Sequence, residues 1–284
     1  MDRIGERHQL TDLIRRALDE DVGPGDITTV AALTGDERGG ARATAKSPLV
    51  VAGIELFGEV FHTLDPGLRF TALRRDGERV EAGTLLAEVS GRLAPLLTAE
   101  RVALNLFQRM AGIATLTRSY VERVAGLPVK ILDTRKTVPG LRLLDKYAVR
   151  VGGGFNHRFA LYDGVLIKDN HIAAAGGIGP AVRRVRARIP HTLKVEVEVR
   201  TAAELEEALA AGVDAVMLDN MSTAEMAAAV RRIAGRIPCE ASGNMNLDRV
   251  REVAEAGVAL ISVGALTHSV AAADISLDVT EREG

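Results

Sequence analysis

Arg135, Lys136, His157, Arg158 and Lys168 crowd into a short stretch of a chain that is net acidic, with 36 Lys and Arg against 38 Asp and Glu. The planar fork of Arg fits a carboxylate or a phosphate, and Lys adds a mobile point charge. Further along, Glu198 and Asp219 offer oxygen donors for hydroxyls or a metal ion. A solvated charged face accounts for any one of these cations alone. Their convergence points instead to an enzyme holding a small polyanionic substrate, with anionic groups at one end and hydroxyls or a metal at the other.

Convergence requires elements that bring separate stretches to one place. After residue 128 a strand–helix unit repeats, with strands expected at 129–133, 164–168, 193–199, 215–219, 239–242 and 260–263. Thr201-Ala202-Ala203-Glu204 and Ser222-Thr223-Ala224-Glu225 fit the capping box that starts a helix. Gly212 and Gly257 fall where a helix should end. Helices between strands imply parallel pairing, and six such units favour a β/α barrel, with an open doubly wound sheet as the alternative.

In a barrel the reactive groups sit at the carboxyl ends of the strands. Those ends read Asp133-Thr134-Arg135-Lys136, Lys168-Asp169-Asn170-His171, Glu198, Asp219-Asn220, Ser242-Gly243-Asn244 and Gly264. Caps and ion pairs explain one or two of them, not the whole ring. Strict alternation from Lys194 to Val199 turns three valines one way and Lys194, Glu196 and Glu198 the other. A barrel would seat the valines against its helices and the charges in its lumen. There an internal Lys194–Glu196 ion pair is expected, and Glu198, nearer the mouth, is the ligand candidate. Glycines 152–154 read either as a flexible connector or as backbone that approaches a ligand closely, and His157-Arg158 just beyond favours the second.

The first hundred residues have another rhythm. A helix over 10–18 ends at the turn cluster Asp21-Val22-Gly23-Pro24-Gly25-Asp26. Short strands are expected between 41 and 90, with a hairpin-type turn at Asp76-Gly77, and then a helix over 95–108 with Thr98 as N-cap. Aromatic residues are 3% with no Trp, which leaves no platform for base or sugar stacking, and the charge balance gives no global basic field for nucleic acid. No apolar stretch approaches the ~20 residues that span a bilayer, and the charged N-terminus does not read as a secretory signal. A soluble cytoplasmic protein is expected. Cys239 is the only cysteine, so no intrachain disulfide forms, and its setting reads as a buried, inert thiol in a short strand.

The cations and acids lie within stretches that carry a resemblance. GPGDITT, DTRKTVPGLRLLDKYAV, VGGGFNHRFALYDGVLIKDNHI, KVEVEV, VMLDN, EASGN and ISVGALTHS run in order over most of the chain. With them the chain closely resembles the quinolinate phosphoribosyltransferases. The resemblance implies an α/β protein: an N-terminal α/β sandwich over 1–110, then an incomplete, seven-stranded β/α barrel over 111–284 whose C-terminal tail packs back on the N-terminal part. It implies a homodimer, or a hexamer built as a trimer of dimers, in which the N-terminal part of one subunit covers the barrel mouth of another. The implied reaction joins quinolinate to 5-phosphoribosyl 1-pyrophosphate with Mg2+. It yields nicotinate mononucleotide, pyrophosphate and carbon dioxide, a step of NAD synthesis.

Carried over residue by residue, the resemblance has Arg135, His157, Arg158 and Lys168 hold the two carboxylates of quinolinate, joined by Arg101 of the partner subunit. Lys136 faces the pyrophosphate with Thr134 beside it, and Glu198 and Asp219 face the ribose hydroxyls and Mg2+. Ser242-Gly243-Asn244 and Val263-Gly264-Ala265 present backbone N–H groups to the 5′-phosphate, a use to which glycine-rich turns entering helices are suited. Lys136, Lys168, Glu198 and Asp219 then form the catalytic set. Three rival readings stand beside this one. They are a paralogue acting on another aromatic acid (a monocarboxylate user or a molybdenum-transport-associated protein), a Schiff-base aldolase with Lys168 as nucleophile, and a non-catalytic binding protein. The set Arg101, Arg135, Arg158 and Lys168 favours a diacid. Losing one buried cation–carboxylate contact costs on the order of 2–5 kcal/mol. Arg135→Ala and Arg158→Ala should therefore each lower kcat/KM for quinolinate by roughly 30-fold or more, and unchanged turnover in either variant would remove that residue from the site.

Overall fold

Ala41, Ala43 and Ala45 are buried at every second position of the strand Arg38–Ala45, the period of a sheet with one covered face. In the computed structural model, which describes residues 4–283, this strand lies inside a four-stranded antiparallel sheet. Ile275–Glu283 pairs on one side of it, and Leu85–Arg92 followed by Arg69–Ala72 on the other. Residues 1–3 and 284, the outermost positions of the two expected domains, lie outside the described residues. The helix Ile54–Leu64 buries Ile54, Leu56, Phe57, Val60 and Phe61, and Phe57 meets Phe61 edge-on with ring centroids 5.2 Å apart.

This sheet belongs to a unit made of Met1–Leu116, Val138–Gly153 and Val270–Gly284. Part of the DTRKTVPGLRLLDKYAV stretch is therefore architectural. Asp145, fully buried in the helix Arg142–Val151, accepts two hydrogen bonds from the Arg109 guanidinium at 2.8 and 2.7 Å.

Three local expectations need correction. The helix expected over 95–108 runs from Leu93 to Arg123, and Thr98 lies inside it instead of capping it. The Thr98 hydroxyl donates to Ala94 O at 3.0 Å and reaches Asp26 Oδ2 at 3.2 Å. The helix continues through Gly112 because its neighbours Met110, Ala111, Ile113 and Ala114 are fully buried, which offsets the poor helix propensity of glycine. At Asp76-Gly77 a turn does form, with Gly77 at φ +92°. It joins no hairpin, since Arg69–Ala72 pairs with Leu85–Arg92 and Arg79–Val80 pairs with Leu49–Val50. Asp76 instead accepts from Gly53 N and Ile54 N at the start of the helix Ile54–Leu64, and from the Tyr147 hydroxyl at 2.7 Å.

The second unit comprises Thr117–Thr137 and Gly154–Ser269. All six strands expected after residue 128 are present and parallel, in the order Lys130–Leu132, Leu260–Ser262, Cys239–Ser242, Ala215–Asp219, Val195–Val199, Val165–Ile167. From Val165–Ile167 onward successive strands are neighbours, and the last pairs with Lys130–Leu132, which is barrel order. A doubly wound sheet would reverse direction instead, so that alternative falls. Phe155 makes a parallel bridge to Leu132 and stands where a seventh strand belongs, and no pairing is described between it and Val165–Ile167. The barrel is therefore incomplete. Val195, Val197 and Val199 are fully buried, as the alternation requires. Ser222 and Glu225 form a reciprocal capping box, while Thr201 caps Glu204 N but Glu204 turns back to Arg200 N. No helix among the described residues is long and apolar enough to cross a membrane.

A Cβ at Gly112 would stand 2.2 Å from the carbonyl oxygen of Ala271. Gly112→Ala must push the 270–274 segment away, and should cost at least ~1–3 kcal/mol of stability in urea unfolding. A neutral or stabilising result would contradict this packing.

Candidate active site

Alternation along Val195–Val199 turns Glu196 and Glu198 into the barrel, and carboxylates placed there need partners. Glu196 Oε2 lies 3.3 Å from His157 Nε2. Glu240, in the strand Cys239–Ser242 and 1% exposed, brings its Oε2 to 3.7 Å from the same nitrogen. The expected Lys194–Glu196 ion pair is not found among the described residues. Lys194 is exposed at the amino end of the strand, where hydration costs less than burial. His157 Nδ1 accepts from Arg158 N at 2.7 Å, so the ring proton sits on Nε2 and points at the acids. Asp133, fully buried at the end of Lys130–Leu132, fixes this loop by accepting from His157 N at 2.8 Å and Asn156 Nδ2 at 2.6 Å.

Burial, and then the charge of Glu196, push the Glu240 carboxyl up to about 7. Its Oε1 has no hydrogen-bond partner. A proton retained near neutrality relieves the repulsion between the two acids. Burial pushes the neighbouring Cys239 thiol up to about 12, which agrees with an inert, buried cysteine.

Nearer the mouth, Lys168 follows Val165–Ile167 and its Nζ donates to Glu198 Oε2 at 2.9 Å. Glu198 Oε1 faces the Arg200 guanidinium at 3.4 Å, and Arg200 also reaches Asp219 Oδ2 at 3.2 Å. Two carboxylates converging on one cation form a donor set that fits a divalent ion preferring oxygen ligands.

Beside them, Asn220 at φ +56° donates its N–H to Ser242 O at 3.0 Å, and Asn244 Nδ2 donates to Asn220 Oδ1 at 3.2 Å. Gly243 is obligatory here, because a Cβ would stand 2.2 Å from Asn220 Oδ1 and φ is +93°. Lys136 lies against Gly264, where a Cβ would come 3.0 Å from its Cδ, and its carbonyl accepts from the Thr267 hydroxyl at 2.9 Å. The Thr134 hydroxyl accepts from Lys136 N at 3.0 Å. Val263 N donates to Leu132 O, which ties the Val263-Gly264-Ala265 turn to the strand that precedes Arg135.

Arg158 Nη1 donates to Gly164 O at 2.9 Å. Burial, and next the like charge of Arg135, push the Arg158 guanidinium below its usual range. Both side chains are half-buried. The second unit thus sets Arg135 near enough to act on the charge of Arg158, Lys168 on Glu198, Arg200 between Glu198 and Asp219, and Lys136 against Gly264. Arg101 belongs to the first unit, where it is exposed on the helix Leu93–Arg123 with Glu100 at 3.9 Å.

The family model for the N-terminal domain of quinolinate phosphoribosyl transferase matches residues 26–111, and that for its C-terminal domain matches residues 113–278. The chain belongs to this family. It is 45% identical over 291 residues to the chloroplastic carboxylating nicotinate-nucleotide pyrophosphorylase of Arabidopsis thaliana, a match spanning 96% of this chain and 83% of that protein. Among solved structures it resembles NadC from Streptococcus pyogenes, with a TM-score of 0.91 and 43% identity over 96% of this chain and 98% of that one. It likewise resembles the nicotinate-nucleotide pyrophosphorylase from Francisella tularensis, at 0.92 and 41% over 96% of each.

Two charged residues of this candidate site carry no signal at a strand end. Glu240 sits one residue past Cys239, and the period-two rule applied to Val195–Val199 would have turned it inward, but its strand has only four residues. Arg200 lies one residue beyond its strand and reads as a surface charge.

Glu240 makes a pH prediction. Its folded value, about 7, lies above the ordinary 4.5, so the native state binds this proton more tightly and loses stability as pH rises from 4.5 through about 7. Glu240→Gln removes that loss. The variant's stability relative to wild type should rise across this window by on the order of 1–3 kcal/mol in urea unfolding, whereas a pH-independent difference would contradict the assignment.

Proposed function

We propose that this chain transfers the phosphoribosyl group of 5-phosphoribosyl 1-pyrophosphate to quinolinate with loss of carbon dioxide, forming nicotinate mononucleotide and pyrophosphate for NAD synthesis. The observation that carries this reading is two half-buried arginines, Arg135 and Arg158, with burial and then the like charge of Arg135 pushing the Arg158 guanidinium below its usual range in a protein of net charge −2. Such a pair favours a bound anion, and with Lys168 it suits two carboxylates on one ring. Lys168 is exposed and ion-paired to Glu198, unlike the desolvated amine that a Schiff-base aldolase needs.

In this proposal Arg135, His157, Arg158 and Lys168 hold quinolinate, with Arg101 of the partner subunit completing the set in a homodimer or a trimer of dimers. Thr134 and Lys136 face the diphosphate. The backbone of Ser242-Gly243-Asn244 and Val263-Gly264-Ala265 receives the 5′-phosphate. Glu198 and Asp219 orient the ribose hydroxyls and would hold Mg2+, partly through substrate and water. Bound there, the ion supplies positive charge to the diphosphate. The proposed domain boundary near residue 110 falls within the helix Leu93–Arg123, and a cytoplasmic location is part of the reading.

The protein's contribution is placement of charge. Lys136 draws negative charge as pyrophosphate departs, leaving an oxocarbenium-like ribose that the pyridine nitrogen captures. The pyridinium then accepts the electron pair released when the adjacent carboxylate leaves as carbon dioxide, and a proton replaces it at that carbon. Arg135 and Arg158 fix the ring so that nitrogen faces the ribose carbon throughout. Incubation with quinolinate, phosphoribosyl pyrophosphate and Mg2+ should yield nicotinate mononucleotide and carbon dioxide in equal amounts. Formation of neither product would refute the reading.

A further inference from the structure

Arg200 has no part in the roles above, yet its guanidinium contacts three carboxylates. Its guanidinium lies 3.4 Å from Glu198 Oε1, 3.2 Å from Asp219 Oδ2 and 3.0 Å from Asp169 Oδ2. Its backbone is fixed, since Arg200 N donates to Glu204 Oε2 at 2.6 Å and Thr201 caps the helix Ala202–Ala210. The side chain is half exposed.

With Arg200 in place both oxygens of Glu198 face protein cations, Oε2 the Lys168 ammonium and Oε1 the guanidinium. Asp219 Oδ2 is shared between Arg200 and the Asn220 amide. A divalent ion entering on Glu198 and Asp219 therefore meets a positive charge already seated on the same oxygens. Both cannot occupy them at full strength, because like charges on shared ligands repel. Asp169 offers a way out. It is exposed, it already contacts Arg200, and none of the proposed roles places it on substrate, so the guanidinium can swing onto it while leaving the other two acids.

We propose that Arg200 is a resident counter-cation, which holds Glu198 and Asp219 together in the empty site and yields them to a divalent metal ion by retreating to Asp169. The inference rests on the reading of Glu198 and Asp219 as the metal-holding pair. It makes Arg200 a positioning residue that sets how readily the ion enters.

The test is a Mn2+ titration of the full-length protein, following free Mn2+ by its paramagnetic resonance signal, with no substrate present. Arg200→Ala and the length-preserving Arg200→Gln should both bind Mn2+ about 3- to 10-fold tighter than wild type, a modest gain because the ion pairs are exposed. Adding Asp219→Asn to either variant should abolish the gain. Asp169→Asn, which removes the retreat, should bind Mn2+ more weakly than wild type. Equal affinity in wild type and both Arg200 variants, undetectable binding throughout included, would overturn the proposal, as would a gain that survives Asp219→Asn. Turnover of quinolinate by wild type is measured alongside. Intact turnover with no Mn2+ response sinks the role of Arg200 alone, whereas absent turnover sinks the functional reading itself.

Discussion

Three glutamates turned toward the inside of a parallel barrel set the conditions that the second unit has to meet. Glu196, Glu198 and Glu240 come from two strands, and water cannot solvate them as it would on a surface. Each is compensated differently. Glu196 faces His157 Nε2 at 3.3 Å, Glu240 retains a proton of its own near neutrality, and Glu198 is clamped between Lys168 and Arg200. The compensating groups come from other strand ends and loops, so stabilising the acids also brings the cations to the mouth. Asp133 shows the cost of that arrangement, a fully buried carboxylate spent on anchoring the loop that carries His157.

The same economy explains why the cations do not neutralise one another's neighbours completely. Arg135 and Arg158 stay close enough for one to depress the other's proton affinity, in a half-buried setting. A protein seeking only stability would separate them. A bound dianion would relieve that repulsion, and the two carboxylates of the substrate are proposed to sit there. At the opposite end the acids outnumber the cations, with Glu198, Asp219 and Asp169 around Arg200. Lys168, paired with Glu198, links the cations proposed to hold carboxylates to the acids proposed to hold hydroxyls and a metal ion.

Much of the barrel was legible in the sequence because its signals are local. Period-two alternation located Val195–Val199, the Ser222–Glu225 capping box started the helix Thr223–Ile233, and strand ends pointed to the residues at the mouth. Where the reading failed, distant contacts decided. Lys194 belongs to the alternating pattern but lies outside the strand, in reach of water, and His157 takes its place beside Glu196. The helix expected to end at 108 runs on to Arg123, because the residues flanking Gly112 are buried. Thr98 looks like a cap, yet five residues of the helix precede it and its hydroxyl donates to Ala94 O. Arg200 carries no periodic signal at all, and its meaning comes from acids 19 and 31 residues away.

The central claim is that the positive end of the site reads two carboxylates. Calorimetric titration of the wild-type protein with quinolinate and with nicotinate, which lacks one carboxylate, tests it without any turnover. Quinolinate should bind at least about tenfold tighter, ~1.4 kcal/mol. Equal affinity for the two, or tighter binding of nicotinate, would contradict it.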